Sequence, residues 1–133
     1  MRLRGSSEQG AAAVEFAIVA GLLLVLLVGT VQFGIAWNRR QGLEAAAREG
    51  ARLASVGADF DAISARVRDA QSLFDSVDVQ VRTDPATSVP CSGGARSVTV
   101  TAQVPASPRY AITIPLWGSV EVTYSAQGIF NCE

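Results

Sequence analysis

Histidine is absent from this chain of 133 residues, and so is lysine: every basic side chain is arginine. Without histidine, the commonest general base and the commonest metal ligand are both missing. The lack of lysine reads as a coding bias, of the kind a GC-rich genome produces. Charge is sparse, at 17 % of residues, and nets to −1, so bulk electrostatics give no reason to expect a nucleic-acid partner. There is no glycine-rich phosphate loop, no metal-spaced cysteine set and no nucleophile paired with histidine. Asp59, Asp61, Asp69, Asp75, Asp78 and Asp84 lack the spacing of an EF-hand loop and read as solvated. No cofactor and no metal are expected, and an enzyme has little support.

What the chain does have is a long apolar run. From Phe16 to Val31 there is no charge, and between Ala11 and Trp37 only Glu15, Thr30 and Gln32 interrupt. At 1.5 Å per residue such a helix crosses a hydrocarbon core of about 30 Å. The remaining residues are too few to bury so uniform a helix inside a soluble core. A transmembrane helix over 11–37 is therefore expected, with Trp37 as an interfacial anchor. Arg2 and Arg4 before it nearly balance Arg39 and Arg40 after it, so the positive-inside rule leaves orientation open. A second processing scheme is a secretory signal cut after Gly34-Ile35-Ala36. It would require an apolar core well beyond the usual length of about 7–15 residues and would discard the anchor.

The residues that open this run are Glu8-Gln9-Gly10-Ala11-Ala12-Ala13-Val14-Glu15-Phe16. A short polar leader ending in glycine, then an acid at the fifth following position, then a long apolar helix, resembles the class III signal of type IV pilins. Gln32-Phe33-Gly34 and the phrase Ala45-Ala46-Ala47-Arg48-Glu49-Gly50-Ala51-Arg52 look more particularly like TadE-like pseudopilins of tight-adherence (Tad/Flp) pilus systems. The resemblance covers roughly 10–54, with Gln32 where an acid is common. It implies a leader of residues 1–10, removed by a prepilin peptidase between Gly10 and Ala11, with Phe16 as the sixth mature residue. It implies as partners that peptidase, the major and other minor pilins, and the inner-membrane assembly platform. It also implies a docking role for Glu15 against a neighbour's free amine.

The physics of Glu15 admits two readings. An intramembrane acid costs about 2.5–3.5 kcal/mol at the helix centre and less near an end. Glu15 lies about 6 Å from Ala11 along the axis, so its carboxylate can snorkel to the headgroups and do nothing more. Cleavage after Gly10 would instead create a cationic α-amine one turn away, in a poorly solvated layer where the two attract. Ala13, Ala17, Gly21 and Gly29 fall on an i+4 ladder completed by Val25. Small residues of this kind let membrane helices approach closely, although alanine and glycine are also simply common in such helices.

Beyond Trp37 helix is expected to continue to about Val56, with Glu44 to Arg48 a favourable i,i+4 pair and Gly57 a stop. Arg48 and Arg52 read as a solvated or salt-bridged face rather than an anion site. Asp59–Phe74 reads as a second helix, with Phe60, Ile63, Val67, Ala70 and Phe74 on one face and Asp59 or Asp61 as cap. The period then changes to two. Val77–Arg82, Val98–Val104, Tyr110–Ile114 and Val120–Tyr124 read as four strands. Trp117 and Phe130 are assigned to core packing rather than to an adhesive surface. Cys91 and Cys132 are expected to form a disulfide, which places this domain outside the cytoplasm.

The expected fold is α+β and pilin-like: a long N-terminal helix, half in the membrane and half outside, a second short helix and a small antiparallel sheet. Residues 38–133 would form an extracytoplasmic domain, with the N-terminus cytoplasmic and membrane lipid around 11–37. The expected function is a structural or assembly protein of a Tad/Flp pilus, resident in the cell membrane or entering the pilus. The other reading is a membrane-anchored extracytoplasmic binding module that never polymerises.

Overall fold

The computed structural model describes residues 6–114 and 117–132, with side chains from Gly10 onward. The first half of the expected leader, residues 1–5 with Arg2 and Arg4, lies outside the described residues. One helix dominates. α1 (Ser6–Ser55) runs for 50 residues, about 75 Å at 1.5 Å per residue. Alanine and leucine favour it, and no proline interrupts its hydrogen bonds. It stops where expected. Gly57 adopts φ +82°, its N–H bonds to the carbonyl of Ala54 at 3.0 Å, and that of Ala58 reaches Leu53 at 3.4 Å. This is the paired bonding of a Schellman ending, which needs a left-handed residue and so favours glycine.

α1 has two halves with different surroundings. None of its most apolar window is buried. From Leu43 onward it buries a stripe of Leu43, Ala46, Ala47, Gly50, Ala51 and Ala54 against the rest of the chain. The small residues Ala46, Gly50 and Ala54, each four positions apart, are thus the seat of the domain's own core.

α2 (Phe60–Ala70) begins at Asp59, whose carboxylate accepts from the Ala62 N–H at 2.7 Å. That satisfies one of the N–H groups a helix start leaves unpaired. Ile63 and Val67 face α1 and are fully buried. The helix ends at Ala70, short of the expected Phe74. The cause is Gln71, which turns extended. Its amide donates to the Phe74 carbonyl and accepts from the Phe74 N–H, both at 3.0 Å. Phe74 still enters the core, from a loop, edge-on to Tyr110 at 4.9 Å and tilted against Tyr124 at 5.3 Å.

The sheet differs from the expected four strands. β1 (Asp78–Asp84) and β2 (Ser97–Val104) match two of them closely. The expected third strand starts late: Pro108–Tyr110 forms a 3-10 turn capped by Ser107, and only β3 (Ile112–Ile114) is extended. The expected fourth strand is divided. β4 (Gly118–Val120) pairs with β3, while Tyr124 opens β5 (Tyr124–Asn131), a strand the residue pattern did not announce. The main sheet is antiparallel in the order β1-β2-β5, and β3-β4 stands apart as a two-stranded hairpin.

Register explains the packing. Val98, Val100, Ala102 and Val104 on β2 lie opposite Phe130, Gly128, Ala126 and Tyr124 on β5. Along β2 alternate residues are buried, while Ser97, Thr99, Thr101 and Gln103 face out. α1 crosses so close to β5 that a Cβ on Gly128 would stand 2.7 Å from the Ala47 carbonyl carbon and 2.8 Å from Arg48 Cα. Cys91, in the loop before β2, is disulfide-bonded to Cys132, just after β5. Beside it the Cys132 N–H bonds to the Arg96 carbonyl at 2.9 Å.

Candidate functional site

The residues singled out for processing and assembly all lie on α1. That helix begins at Ser6, so the Gly10–Ala11 junction is in its second turn, and Gly10 has nothing within 4 Å of where a Cβ would sit. Glu15 is exposed one turn further on, flanked by Val14 and Phe16, which are 61 % and 74 % exposed. Among the described residues Glu15 makes no ion pair. Its helix presents Leu22, Leu23, Leu24, Leu26 and Leu27 without a protein partner. Ala13, Ala17, Gly21 and Gly29 follow one another up one side, and nothing in the chain approaches Gly21 or Gly29. Thr30 does not interrupt the apolar surface as much as its type suggests, because its hydroxyl donates back to the Leu26 and Leu27 carbonyls.

The apolar stretch ends in aromatic and basic residues. Phe33 and Trp37 stack one turn apart with centroids 6.0 Å apart. The Arg39 guanidinium lies 5.3 Å over the Tyr110 ring. Arg40 and Arg48 both bond to Glu44, at 3.1 and 3.3 Å, which makes a surface network on one helix face. Arg66 of α2 reaches Glu49 at 3.1 Å. Each pair is substantially exposed, so together they favour helix and docking by only a modest amount. The basic side chains Arg48 and Arg66 are thus engaged with acids, in line with a salt-bridged face.

All of these features belong to one helix, and the sequence comparison picks out the same helix. Residues 10–52 match the model of the TadE-like protein family. Over that stretch, about a third of the chain, the sequence is similar to TadE-like proteins. The TadE-like match starts at the glycine of the expected junction and ends three residues before α1 does. No curated protein and no solved structure matches the chain.

The matched segment therefore contains Gly10, Ala11, Glu15 and Phe16 together with most of the helix face that seats the sheet domain. The cysteines lie outside it, at the far side of the sheet. No group of three or more metal-capable side chains occurs among the described residues. Two sites escaped the reading of residue types. Gly128 carried no signal of its own, and only the helix crossing reveals why it must be small. Trp117 was expected in the core but is 88 % exposed, and Phe130 is 39 % exposed. Trp117 stands between the two short strands of the hairpin, away from the α1–sheet interface that could have buried it. The one available signal was the absence of charge from Tyr110 to Val120.

Proposed function

We propose that this chain is a membrane-anchored pseudopilin of a Tad pilus system, matured by a prepilin peptidase between Gly10 and Ala11. The observation that carries the reading is the coincidence, in one uninterrupted helix, of the TadE-like match over residues 10–52 with an unburied apolar half and a half that seats a folded domain. α1 is long and apolar enough to cross a membrane. The disulfide supports an arrangement with the sheet domain outside the cytoplasm and the N-terminus inside.

Cleavage requires the first turns of α1 to open. Glycine at position 10 eases this, being among the weakest helix formers, and leaves the backbone bare for the peptidase. The new amine of Ala11 would then lie one turn from Glu15. In a stack of such helices the pair can bridge adjacent chains, and the small-residue side of α1 allows the approach. The major pilin, other minor pilins and the membrane assembly platform are the partners this implies.

Intact-mass measurement on protein purified from membranes tests the maturation. The expected result is loss of Met1–Gly10, abolished by Gly10→Lys or by deleting the peptidase. A retained leader in cells with an active peptidase would overturn it. A new N-terminus at Trp37 would point to a secretory signal instead.

A further inference from the structure

Three placements fix which end of the domain faces the apolar half of α1. Gly128, in the middle of β5, lies against Ala47 and Arg48. Tyr124 and Ser125, at the start of β5, share a groove of about 360 Å³ with Phe33, Ala36, Trp37 and Arg40. β5 therefore runs alongside α1, and its first residue is the end nearest the apolar half. Val104, the last residue of β2, pairs with Tyr124 and lies at that same end. Everything between β2 and β5 consequently hangs there, including the β3-β4 hairpin. Contacts with α1 move the same way along the connection. Tyr110 meets Arg39, and Ile112, two residues later, lines the groove with Phe33, Ala36 and Trp37.

The composition of this hairpin suits one environment. Tyr110–Val120 contains no charged residue. Ile114, Trp117 and Val120 are exposed at 38, 88 and 52 %. Clustered exposed apolar side chains mark an interaction surface. Through Ile112, which pairs with Val120, the hairpin adjoins the groove lined by Phe33 and Trp37, where the apolar surface of α1 ends. Indole has an apolar body and a polar N–H, and such rings settle at the headgroup level of bilayers.

We propose that the β3-β4 hairpin is a second membrane contact, in which Trp117 inserts among phospholipid headgroups beside Trp37. The proposal rests on α1 spanning the bilayer. The hairpin then fixes the outer domain against the membrane surface at two points, and Arg39, held over Tyr110, stands within the same layer to meet lipid phosphate. Withdrawal of the helix from the bilayer would uncover the hairpin and free it for a protein neighbour.

The chain has two tryptophans, which makes the test direct. The full chain is reconstituted in phospholipid vesicles as Trp37→Phe, leaving Trp117 to report, and as Trp117→Phe, leaving Trp37. Quenching is measured with lipids carrying a nitroxide near the headgroup and with acrylamide in the water. Both reporters are expected to lose intensity to the shallow nitroxide, to resist acrylamide and to emit to the blue of free tryptophan. Trp37 quenched by nitroxide, with Trp117 open to acrylamide alone, would overturn the hairpin proposal and leave the spanning helix standing. If neither meets the nitroxide, both readings fail. A Trp117 shielded from both quenchers, and unshielded when protein is diluted into more lipid, would show a second copy on the hairpin and overturn the lipid contact.

Discussion

At the scale of single residues, two glycines set how closely this molecule can close. At Gly128 an added methyl group would meet the backbone of α1, which cannot yield without moving the helix off the sheet. At Gly50 it would meet the Cγ2 of Val67, which is fully buried in α2. A valine in a helix has little freedom to turn away, yet a side chain is still easier to displace than a backbone. Gly128→Ala is therefore expected to destabilise the full chain in detergent by at least about 1–3 kcal/mol, the range for overpacking, and Gly50→Ala by less. Val67→Ala should relieve part of the Gly50→Ala cost, so the double variant loses less than the sum of the singles. Denaturant titration followed by circular dichroism measures all four. An unchanged midpoint for Gly128→Ala would mean that α1 and β5 are not in contact as described.

At the scale of elements, legibility depended on whether one strand or helix carried its own signal. α1 could be placed from its long uncharged run and the stop at Gly57, and the start of α2 from periodicity and capping, because Ile63, Val67 and the Asp59 cap sit at helical spacing and act locally. β5 was hidden because its inward side is Tyr124, Ala126 and Gly128. Gly128 is small because α1 passes over it, and that part of α1 is about eighty positions away in sequence. The short reach of β3 has a local cause in the Ser107–Pro108 start of the 3-10 turn, and the early end of α2 one in Gln71. Gly10 and Glu15 are candidates that only their sequence context marks out, whereas the exposure of Trp117 could not be read there, since it follows from where the β2–β5 connection hangs. The pairing of Cys91 with Cys132 joins the two ends of this β unit, 41 positions apart. Closing a loop of that length is worth about 4 kcal/mol in the chain-entropy model. Cys91→Ser with Cys132→Ser is expected to lower the unfolding midpoint strongly while leaving the membrane half of α1 helical. Equal stability of the oxidised and reduced chain would show that the bridge does not restrain the unfolded state.

At the scale of the whole molecule, the division is between an apolar half of α1 left unburied by the described residues and a half on which the rest of the domain packs. A surface left uncovered over some seven helical turns must be met by lipid, by other helices, or by each in turn. Glu15 distinguishes a passive anchor from a packing element. Glu15→Ala should leave leader removal and membrane insertion intact, by mass and by membrane fractionation, while the number of pili per cell falls. Normal piliation would reduce Glu15 to a carboxylate that merely reaches the headgroups.

The unbroken length of α1 has a geometrical consequence. With no proline and no hinge between the two halves, the outer domain is fixed in azimuth to the side chains near Glu15. Sliding α1 by one residue within a groove that accepts the same faces advances the domain by about 1.5 Å and turns it by about 100°. The helix is in effect a threaded shaft with the domain as its pointer. Whatever sets the axial position of the shaft thereby chooses the direction in which the outer face is displayed.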